Sequence, residues 1–225
     1  MKTLLLGNEA VARGLYEAGC RFVSSYPGTP STEITEVVAK YDEIYSEWAP
    51  NEKVAAEAAI GASIGGARSF CAMKHVGLNV AADPLFTVSY TGVNGGMVLA
   101  VADDQGMHSS QNEQDSRHYA IAAKLPMLEP ADSAECLEYV KLAFDLSEQY
   151  DAPVMFRTCT RVAHSQSIVE LSDRVEHDLK PYEKNPAKYV MMPGNAKNRH
   201  PIVEERTQKL ITFAETSGIN RIEMG

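Results

Sequence analysis

The sequence of 225 residues has few cysteines, no excess of basic residues and no long apolar run. Its four cysteines, Cys20, Cys71, Cys136 and Cys159, lie far apart and form no C-x-x-C pair. This spacing argues against zinc-ribbon, thioredoxin-like and iron–sulfur sites built from this chain. We expect all four to be reduced core residues. Any redox chemistry would then pass through a cofactor or partner that these cysteines do not hold.

The charge balance and the hydropathy exclude two further classes of protein. The chain has 30 acidic and 21 basic residues and a net charge of −9, whereas a protein that binds the nucleic-acid backbone needs a basic face. No apolar run approaches the ~18 residues of a membrane span, and Leu4, Leu5 and Leu6 are too few for a signal-peptide core. We therefore predict a cytoplasmic protein that binds neither nucleic acid nor membrane.

Several short catalytic motifs are also absent. The sequence has no P-loop, no G-x-G-x-x-G after a strand, no G-x-S-x-G elbow and no cysteine nucleophile with a clear histidine partner. The composition, 44% apolar and 23% charged, is instead that of an ordinary globular protein.

Up to about Leu171, helical stretches alternate with short β-rich runs, the pattern of a mostly parallel sheet covered by helices on both faces. We predict a doubly wound α/β fold. The predicted strands are Arg21–Tyr26, Ile44–Trp48, Arg68–Met73, Gly96–Asp103, Pro126–Glu129 and Pro153–Arg157. The predicted helices are Asn8–Ala18, Pro30–Tyr41, Asn51–Gly65, Asn112–Lys124 and Ser133–Gln149, the last opened by Asp132 and Glu135.

The composition changes after Leu171. A polar stretch follows that is interrupted by Pro181, Pro186, Pro193 and Pro201, which is typical of a connecting arm. It ends in an amphipathic pattern made of Ile202, Val203, Arg206, Leu210, Ile211, Phe213 and Ala214. We predict a domain at 1–171 and a linker arm at 172–225, whose final helix docks either on this domain or on another one.

The segment 26–31, Tyr-Pro-Gly-Thr-Pro-Ser, joins a predicted strand to a predicted helix. Thr29 is suited to cap that helix, and Pro30 to be its first residue. The N–H groups of this segment and the hydroxyls of Thr29 and Ser31 then face the carboxyl end of the sheet, where α/β proteins bind ligands. Glycine and proline suit a tight turn equally well, so both interpretations stay open.

Glu57 lies in the middle of a predicted helix that is apolar on nearly all sides, so the helix is expected to be buried. A buried carboxylate must have a partner or hold a proton. One interpretation is an ion pair with Lys53, one turn earlier, or an exposed helix edge. The other is a carboxyl group with a raised pKa that hydrogen-bonds a cofactor nitrogen.

Two more polar segments follow predicted strands. Residues 73–79, Met-Lys-His-Val-Gly-Leu-Asn, read as a loop in which His75 contacts a ligand or is a structural hydrogen-bond partner. One interpretation of Lys74 is a solvated loop charge. In residues 103–118, Arg117 either clamps a substrate carboxylate or pairs with a neighbouring acid. The possible metal ligands of that segment show no EF-hand or H-E-x-x-H spacing, so we predict no metal site there; they are Asp103, Asp104, His108, Glu113 and Asp115.

Five segments, taken in order along the chain, resemble the α subunits of the 2-oxoacid:ferredoxin oxidoreductase family. They are Gly7–Ala10, Tyr26–Ser31, Asn51–Lys53 with Glu57–Ala62, Met73–Asn79 and Ser109–Arg117. The last two look like the indolepyruvate, or arylpyruvate, branch of that family.

The resemblance implies a fold and a chemistry. The family uses thiamine diphosphate to decarboxylate a 2-oxoacid oxidatively, forms an acyl-CoA and passes two electrons through iron–sulfur clusters to ferredoxin. This chain resembles the pyrimidine-binding half, in which Glu57 hydrogen-bonds the aminopyrimidine ring and so promotes loss of the thiazolium C2 proton. By the same resemblance, the cofactor contacts are Glu57, Gly28, Thr29, Val76 and Asn79, and the substrate contacts are Thr29, His75 and Arg117.

The resemblance leaves part of the active site outside this sequence. The Gly-Asp-Gly motif for diphosphate and Mg²⁺ is absent, as are the cysteine clusters of a ferredoxin-like domain. We expect a diphosphate-binding domain of the same subunit to hold the diphosphate and Mg²⁺, with iron–sulfur clusters and CoA elsewhere in the enzyme. The expected partners are a β subunit and ferredoxin, in a homodimer or an α2β2 assembly. The chain is then a fragment of a longer α subunit, which we prefer, or a separate subunit.

Two other functions stay open on the sequence. One is the α subunit of a thiamine diphosphate-dependent 2-oxoacid decarboxylase, which would release aldehyde without reducing an electron acceptor. The other is a non-catalytic scaffold of the same fold, because fold alone does not imply function. A carboxylate placed among apolar neighbours argues against the scaffold, since a scaffold gains nothing from it.

Overall fold

The computed structural model of the protein describes residues 1–220, 222 and 224. Within them the chain forms eight strands and ten helices. The strands are β1 (Lys2–Leu6), β2 (Phe22–Ser25), β3 (Tyr45–Trp48), β4 (Ser69–Lys74), β5 (Met97–Asp103), β6 (Met127–Leu128), β7 (Val154–Cys159) and β8 (Gln166–Glu170). The helices are α1 (Gly7–Glu17), α2 (Thr32–Val38), α3 (Glu52–Ile64), α4 (His75–Val80), α5 (Ala82–Thr91), α6 (Arg117–Ala123), α7 (Ser133–Tyr150), α8 (Thr160–His164), α9 (Pro186–Tyr189) and α10 (Pro193–Thr216).

Six strands form one sheet in the order β3-β2-β4-β5-β7-β6, and every neighbouring pair is parallel. These are the six strands that the sequence predicts, and the predicted doubly wound α/β fold is confirmed. β4 and β5 are buried along their whole length, which explains their nearly continuous apolar sequence.

Helices cover both faces of this sheet. On one face α1, α2 and α7 pack side chains such as Leu15, Ile34 and Phe144 against the strands. On the other face α4 and α5 contribute Leu78 and Leu85, and α3 contributes three buried alanines and the partly buried Ile60 to the same cluster. α2 and α4 therefore lie on opposite faces, although they follow strands that are neighbours in the sheet.

The sequence analysis missed several short elements. β1 and β8 form a separate antiparallel pair, and α4, α5, α8 and α9 were not predicted. In β1 the residues alternate between exposed and half-buried positions, which gives a much weaker apolar signal than a buried strand. α4 begins at His75, directly after the last residue of β4, so the predicted loop at 73–79 is wrong.

Two predicted helix starts are wrong, and one is confirmed. α2 begins at Thr32 instead of Pro30, because residues 28–31 form a turn closed by a hydrogen bond from the Ser31 N–H to the Gly28 carbonyl oxygen at 2.9 Å. α6 begins at Arg117 instead of residue 112. α7 begins as predicted, with the Asp132 side chain accepting a hydrogen bond from the Glu135 N–H at 2.9 Å.

Residues 172–185 have no regular secondary structure but are hydrogen-bonded along the domain. The Val175 N–H donates to the Glu17 carbonyl oxygen at 2.9 Å, and the Lys180 N–H donates to the Gly66 carbonyl oxygen at 3.1 Å. This part of the predicted linker arm therefore lies against the domain.

The final helix, α10, is longer than the predicted pattern and docks on α5. Pro193 and Pro201 do not interrupt it: Pro193 is its first residue, and Pro201 lies inside it at an exposed position. Val203 is fully buried, and the Arg206 guanidinium donates to the Ser89 carbonyl oxygen at 2.9 Å. The sequence left open whether the final helix docks on this domain or on another one, and in the structure it docks on this domain.

The cysteines are free thiols, as expected. Cys20, Cys71 and Cys136 are buried, whereas Cys159 is only half-buried. Burial raises the pKa of Cys20 to about 12, so it is a protonated core residue. Within the described part of the chain, no helix is long and apolar enough to cross a membrane, and no group of three or more acidic, histidine or cysteine side chains is arranged to hold a metal ion.

Candidate functional site at the carboxyl end of the sheet

The carboxyl ends of β2 and β4 form a topological switch point of the sheet. The segment after β2 leads to α2 on one face, and the segment after β4 leads to α4 on the other, so the two connections diverge between neighbouring strands. In open α/β sheets ligands bind at such a switch point. The predicted contacts Gly28, Thr29, His75 and Val76 lie on these two segments.

The segment after β2 is held by its own hydrogen bonds. The Gly28 N–H donates to Thr32 Oγ1 at 2.9 Å, and the Gly28 carbonyl oxygen accepts from Ser31 Oγ at 2.8 Å. A Cβ at Gly28 would lie 3.0 Å from the Lys74 Cβ, so the glycine leaves room for the lysine side chain. Thr29 is exposed and does not cap α2.

The end of β4 places two polar side chains in the interior. Lys74 is buried, which excludes its interpretation as a solvated charge, and its ammonium donates to the Ser109 carbonyl oxygen. His75 is also buried, with Nε2 3.1 Å from the Asn112 carbonyl oxygen, while Nδ1 has no partner among the described residues. Both side chains thus contact the main chain of the loop at 104–116.

Asp104 fixes that loop to the end of the sheet. Its Oδ2 accepts from the Ser109 N–H at 2.8 Å and from Ser110 Oγ at 2.5 Å, and its Oδ1 accepts from Thr160 Oγ1 at 2.8 Å. Burial by itself would raise the pKa of Asp104, but these hydrogen bonds outweigh it and hold the pKa well below its usual range. Asp104 is therefore a loop anchor.

A buried ion pair lies beside this anchor. Arg157 Nε is 2.7 Å from Asp103 Oδ2, and both side chains are almost completely buried. Arg157 also contacts the Glu129 carboxylate. Glu129 in turn accepts from Arg117, at 2.6 Å from Nη2 to Oε1, and Arg117 pairs with Asp115 at 3.0 Å. The alternative in which Arg117 pairs with neighbouring acids is thus what the structure shows.

Glu57 is not buried. Its side chain is 53% exposed, and Oε1 is 3.9 Å from Lys53 Nζ. α3 buries its alanines against the sheet and leaves Val54, Glu57 and Gly61, which share one helix face, on the surface. The predicted burial is wrong because alanine and glycine are equally compatible with both sides of such a helix. The ion-pair or exposed-edge interpretation describes this chain.

The two remaining predicted contacts, Val76 and Asn79, lie on α4. Asn79 is exposed on α4 and accepts from Tyr119 Oη at 2.5 Å, and Val76 is half-buried. Among the described residues, no hydrogen bond or ion pair links Glu57 to Gly28, His75 or Arg117. The structure therefore brings together the segments after β2 and β4 and the 104–116 loop, while Glu57 lies exposed on α3 with Lys53 as its ion-pair partner.

Comparison with known proteins identifies the class of protein. The chain belongs to the family described as pyruvate flavodoxin/ferredoxin oxidoreductase, thiamine diphosphate-binding, whose model matches residues 13–220. The resemblance inferred from the sequence is confirmed. Its fold matches that of the 2-oxoglutarate:ferredoxin oxidoreductase from Magnetococcus marinus with a TM-score of 0.78 at 20% identity, over 94% of this chain and 45% of that one.

The particular relatives are indolepyruvate oxidoreductase subunits. The chain is 49% identical over 225 residues to subunit IorA of Methanothermobacter marburgensis, covering 98% of this chain and 36% of that protein. It is 46% identical over 234 residues to IorA of Archaeoglobus fulgidus, covering 100% and 37%. Identity to the 2-oxoglutarate synthase subunit KorA of Methanothermobacter thermautotrophicus is 31% over 183 residues, which cover 76% of this chain and 48% of that protein. The chain thus spans little more than a third of the length of its IorA relatives.

Proposed function

We propose that this chain is the pyrimidine-binding part of a thiamine diphosphate-dependent enzyme that oxidatively decarboxylates arylpyruvates such as indolepyruvate. The 2-oxoacid loses CO₂ and two electrons, its acyl group is transferred to CoA, and ferredoxin accepts the electrons. The observation that carries the proposal is the 43% to 49% identity, over nearly the whole chain, to subunits named for indolepyruvate oxidation. Identity to the 2-oxoglutarate relatives is 30% to 31%.

The residues of α3 fit the pyrimidine ring of thiamine diphosphate. Glu57 presents a carboxyl group on an exposed face, Val54 beside it is 39% exposed, and a Cβ at Gly61 would meet nothing within 4 Å. A flat heterocycle can lie on such a face and receive a hydrogen bond from the carboxyl group. When bound, thiamine diphosphate supplies the electron sink for decarboxylation.

Glu57 acts in this proposal by holding a proton. Covering α3 with a ring and a second domain removes water from the carboxyl group, which favours its protonated form. The carboxyl oxygen then shares that proton with the ring nitrogen, as a positioned acid–base group does. Gly28, Thr29, Val76 and Asn79 are proposed as further cofactor contacts, and Thr29, His75 and Arg117 as substrate contacts.

The rest of the enzyme is part of the same proposal. Residues 1–171 form the pyrimidine-binding domain, and 172–225 form the arm that leads to a diphosphate-binding domain of the same subunit, which holds Mg²⁺. A β subunit, iron–sulfur clusters, and a homodimeric or α2β2 assembly complete it. The relatives support this, because they are named as enzyme subunits and are much longer than this chain. The cytoplasmic location stays a prediction.

An anaerobic assay of the complete enzyme tests the proposed function. Reduction of a viologen dye should require indolepyruvate, CoA and thiamine diphosphate, and should stop when any of the three is omitted. Release of the aldehyde without dye reduction would instead identify a decarboxylase. Absence of both products would favour a non-catalytic module.

A further inference from the structure

The strongest unexplained feature outside the residues assigned above is the ammonium group of Lys74. The residue is 8% exposed, and its hydrogen-bond partner is the Ser109 carbonyl oxygen. Among the described residues no carboxylate pairs with it. By contrast, the buried guanidiniums of Arg68 and Arg157 each pair with at least two carboxylates.

Burying a charge without a counter-charge is unfavourable, so the site has a reason to receive an anion. An ammonium group has three donors, and the Ser109 carbonyl occupies one of them. Arg206 is another buried cation without an ion pair, but its terminal nitrogens donate to three oxygens of Ser89 and Asp151 and join α10 to α5. Lys74 is thus a buried cation at the end of β4, with two donors that have no partner among the described residues.

The position of Lys74 indicates which kind of anion the site receives. It is the last residue of a central strand, and its side chain lies against Gly28, next to Thr29. The neighbouring His75 Nδ1 is buried and has no partner among the described residues. Two polar groups at the end of one strand are therefore incompletely satisfied at the point where a doubly wound sheet binds its ligand.

We propose that Lys74 binds the carboxylate of the 2-oxoacid substrate. This inference rests on the proposed function and adds a substrate contact to it. Arg117, assigned to the substrate by family resemblance, is already paired with Asp115 and Glu129, whereas Lys74 has no acidic partner. The hydrogen bond to the Ser109 carbonyl oxygen orients the ammonium group and leaves two of its N–H donors for the carboxylate oxygens.

The test uses the complete enzyme with two variants. Lys74→Met removes the charge and the hydrogen bond to Ser109, whereas Lys74→Gln removes the charge and keeps a donor for that carbonyl. Lys40→Met, at an exposed position on α2's carboxyl side, is the control. Calorimetry measures binding of indole-3-propionate, which carries the carboxylate, and of its uncharged amide; steady-state kinetics gives KM for indolepyruvate and for CoA.

In both Lys74 variants the dissociation constant of the acid and the KM for indolepyruvate should rise on the order of tenfold to hundredfold, as for loss of a charged hydrogen bond. Binding of the amide and the KM for CoA should not change. Equal weakening of acid and amide, unchanged binding of both, or a rise confined to the KM for CoA would each overturn the inference. If the unsubstituted enzyme reduces no dye with indolepyruvate, the proposed function fails, and the calorimetric comparison still decides whether Lys74 binds carboxylates.

Discussion

At the scale of single residues, Asp104 holds the 104–116 loop against the end of the sheet. Its carboxylate is almost fully buried and accepts hydrogen bonds from Ser109, Ser110 and Thr160. These bonds hold in place the same stretch of main chain that contacts Lys74 and His75. The charge of Asp104 therefore stabilises the closed loop.

Asp104→Asn should loosen the loop. The amide accepts fewer hydrogen bonds than the carboxylate and loses their charge-assisted strength, so hydrogen exchange of residues 105–115 should become faster. Asp42→Asn, at an exposed position, is the matched control and should leave exchange unchanged. Equal exchange rates in the two variants would show that Asp104 does not hold the loop.

The lowered pKa of Asp104 predicts the same effect from pH. Because the folded-state pKa lies below the usual 3.8, the stabilisation is fully present above about pH 4 and is lost as the pH falls toward the folded-state value. Protection of the loop amides, which is the exchange rate relative to the intrinsic rate at each pH, should therefore fall in the unsubstituted protein below about pH 4, and Asp104→Asn should remove that fall. A fall in protection that persists in the variant would assign it to another acid.

Sequence patterns predicted other residues of the site but not the role of Asp104. Gly28, Thr29 and His75 were singled out because they follow predicted strands, and the structure places them at one end of the sheet. Lys74 and Asp104 were not assigned their roles, because burial of a loop charge depends on which distant segment covers it. Glu57 was placed on the correct helix with the wrong exposure.

At the scale of secondary-structure elements, the Asp103–Arg157 pair joins the ends of β5 and β7. These strands pair in parallel, and Asp103 lies opposite Cys159 in the register. Asp103 Oδ2 also accepts from the Ser116 N–H at 3.1 Å, at the start of α6. One buried carboxylate thus connects two strands and the helix that begins with Arg117.

Arg157→Met should be strongly destabilising. It leaves the buried Asp103 carboxylate without its counter-charge, for which the expected loss is about 3–5 kcal/mol of unfolding free energy. Chemical denaturation measures this loss. Arg161→Met, at an exposed position on α8, should change the unfolding free energy little. A loss of similar size in both variants, or in neither, would contradict a structural role of the pair.

Elements were predictable where burial was complete on both faces. β4 and β5 are wholly buried and have clear apolar runs, whereas the partly exposed β1 and β8 have at most three consecutive apolar residues. α4 and α5 were missed because α4 follows β4 without an intervening loop and contains Gly77 and Asn79, which read as turn residues. Gly77 lies close to the Glu52 side chain, so packing and not a turn explains why a glycine stands there.

At the scale of the whole molecule, Glu17 ties together segments that are far apart in the sequence. Its carboxylate is 1% exposed and pairs with Arg13 at 2.8 Å and with Lys141 of α7 at 3.1 Å. It also accepts from Ser172 Oγ at 2.5 Å, where the polar arm begins. Burial by itself would raise the pKa of Glu17, but these hydrogen bonds lower it overall.

Glu17→Gln should lower the unfolding free energy by about 1–3 kcal/mol, because charge-assisted hydrogen bonds of a buried group are lost. Since the folded-state pKa is lowered, the contribution is present above the usual value of about 4.5 and disappears as the pH falls below it. Denaturation at pH 7 and pH 4 measures both effects. Glu138→Gln, which is 63% exposed and 3.9 Å from the same lysine, is the control and should have little effect at either pH.

Glu57 is a surface residue of this molecule and not a core residue. Glu57 makes one distant ion pair here, so it contributes little to the stability of this fold. Its proposed use begins only when cofactor and a second domain cover α3. The proposed role of Glu57 therefore lies in catalysis and not in folding.

The most direct test compares Glu57→Gln with the exposed control Glu36→Gln in the complete enzyme, measuring both indolepyruvate-dependent dye reduction and unfolding free energy. Glu57→Gln should lower the rate at least ~100-fold, as loss of an acid–base group does, while the unfolding free energy changes by less than ~0.5 kcal/mol. Glu36→Gln should change neither. Full activity of Glu57→Gln, or a loss of activity that is matched by loss of stability, would contradict the proposed role of this carboxyl group.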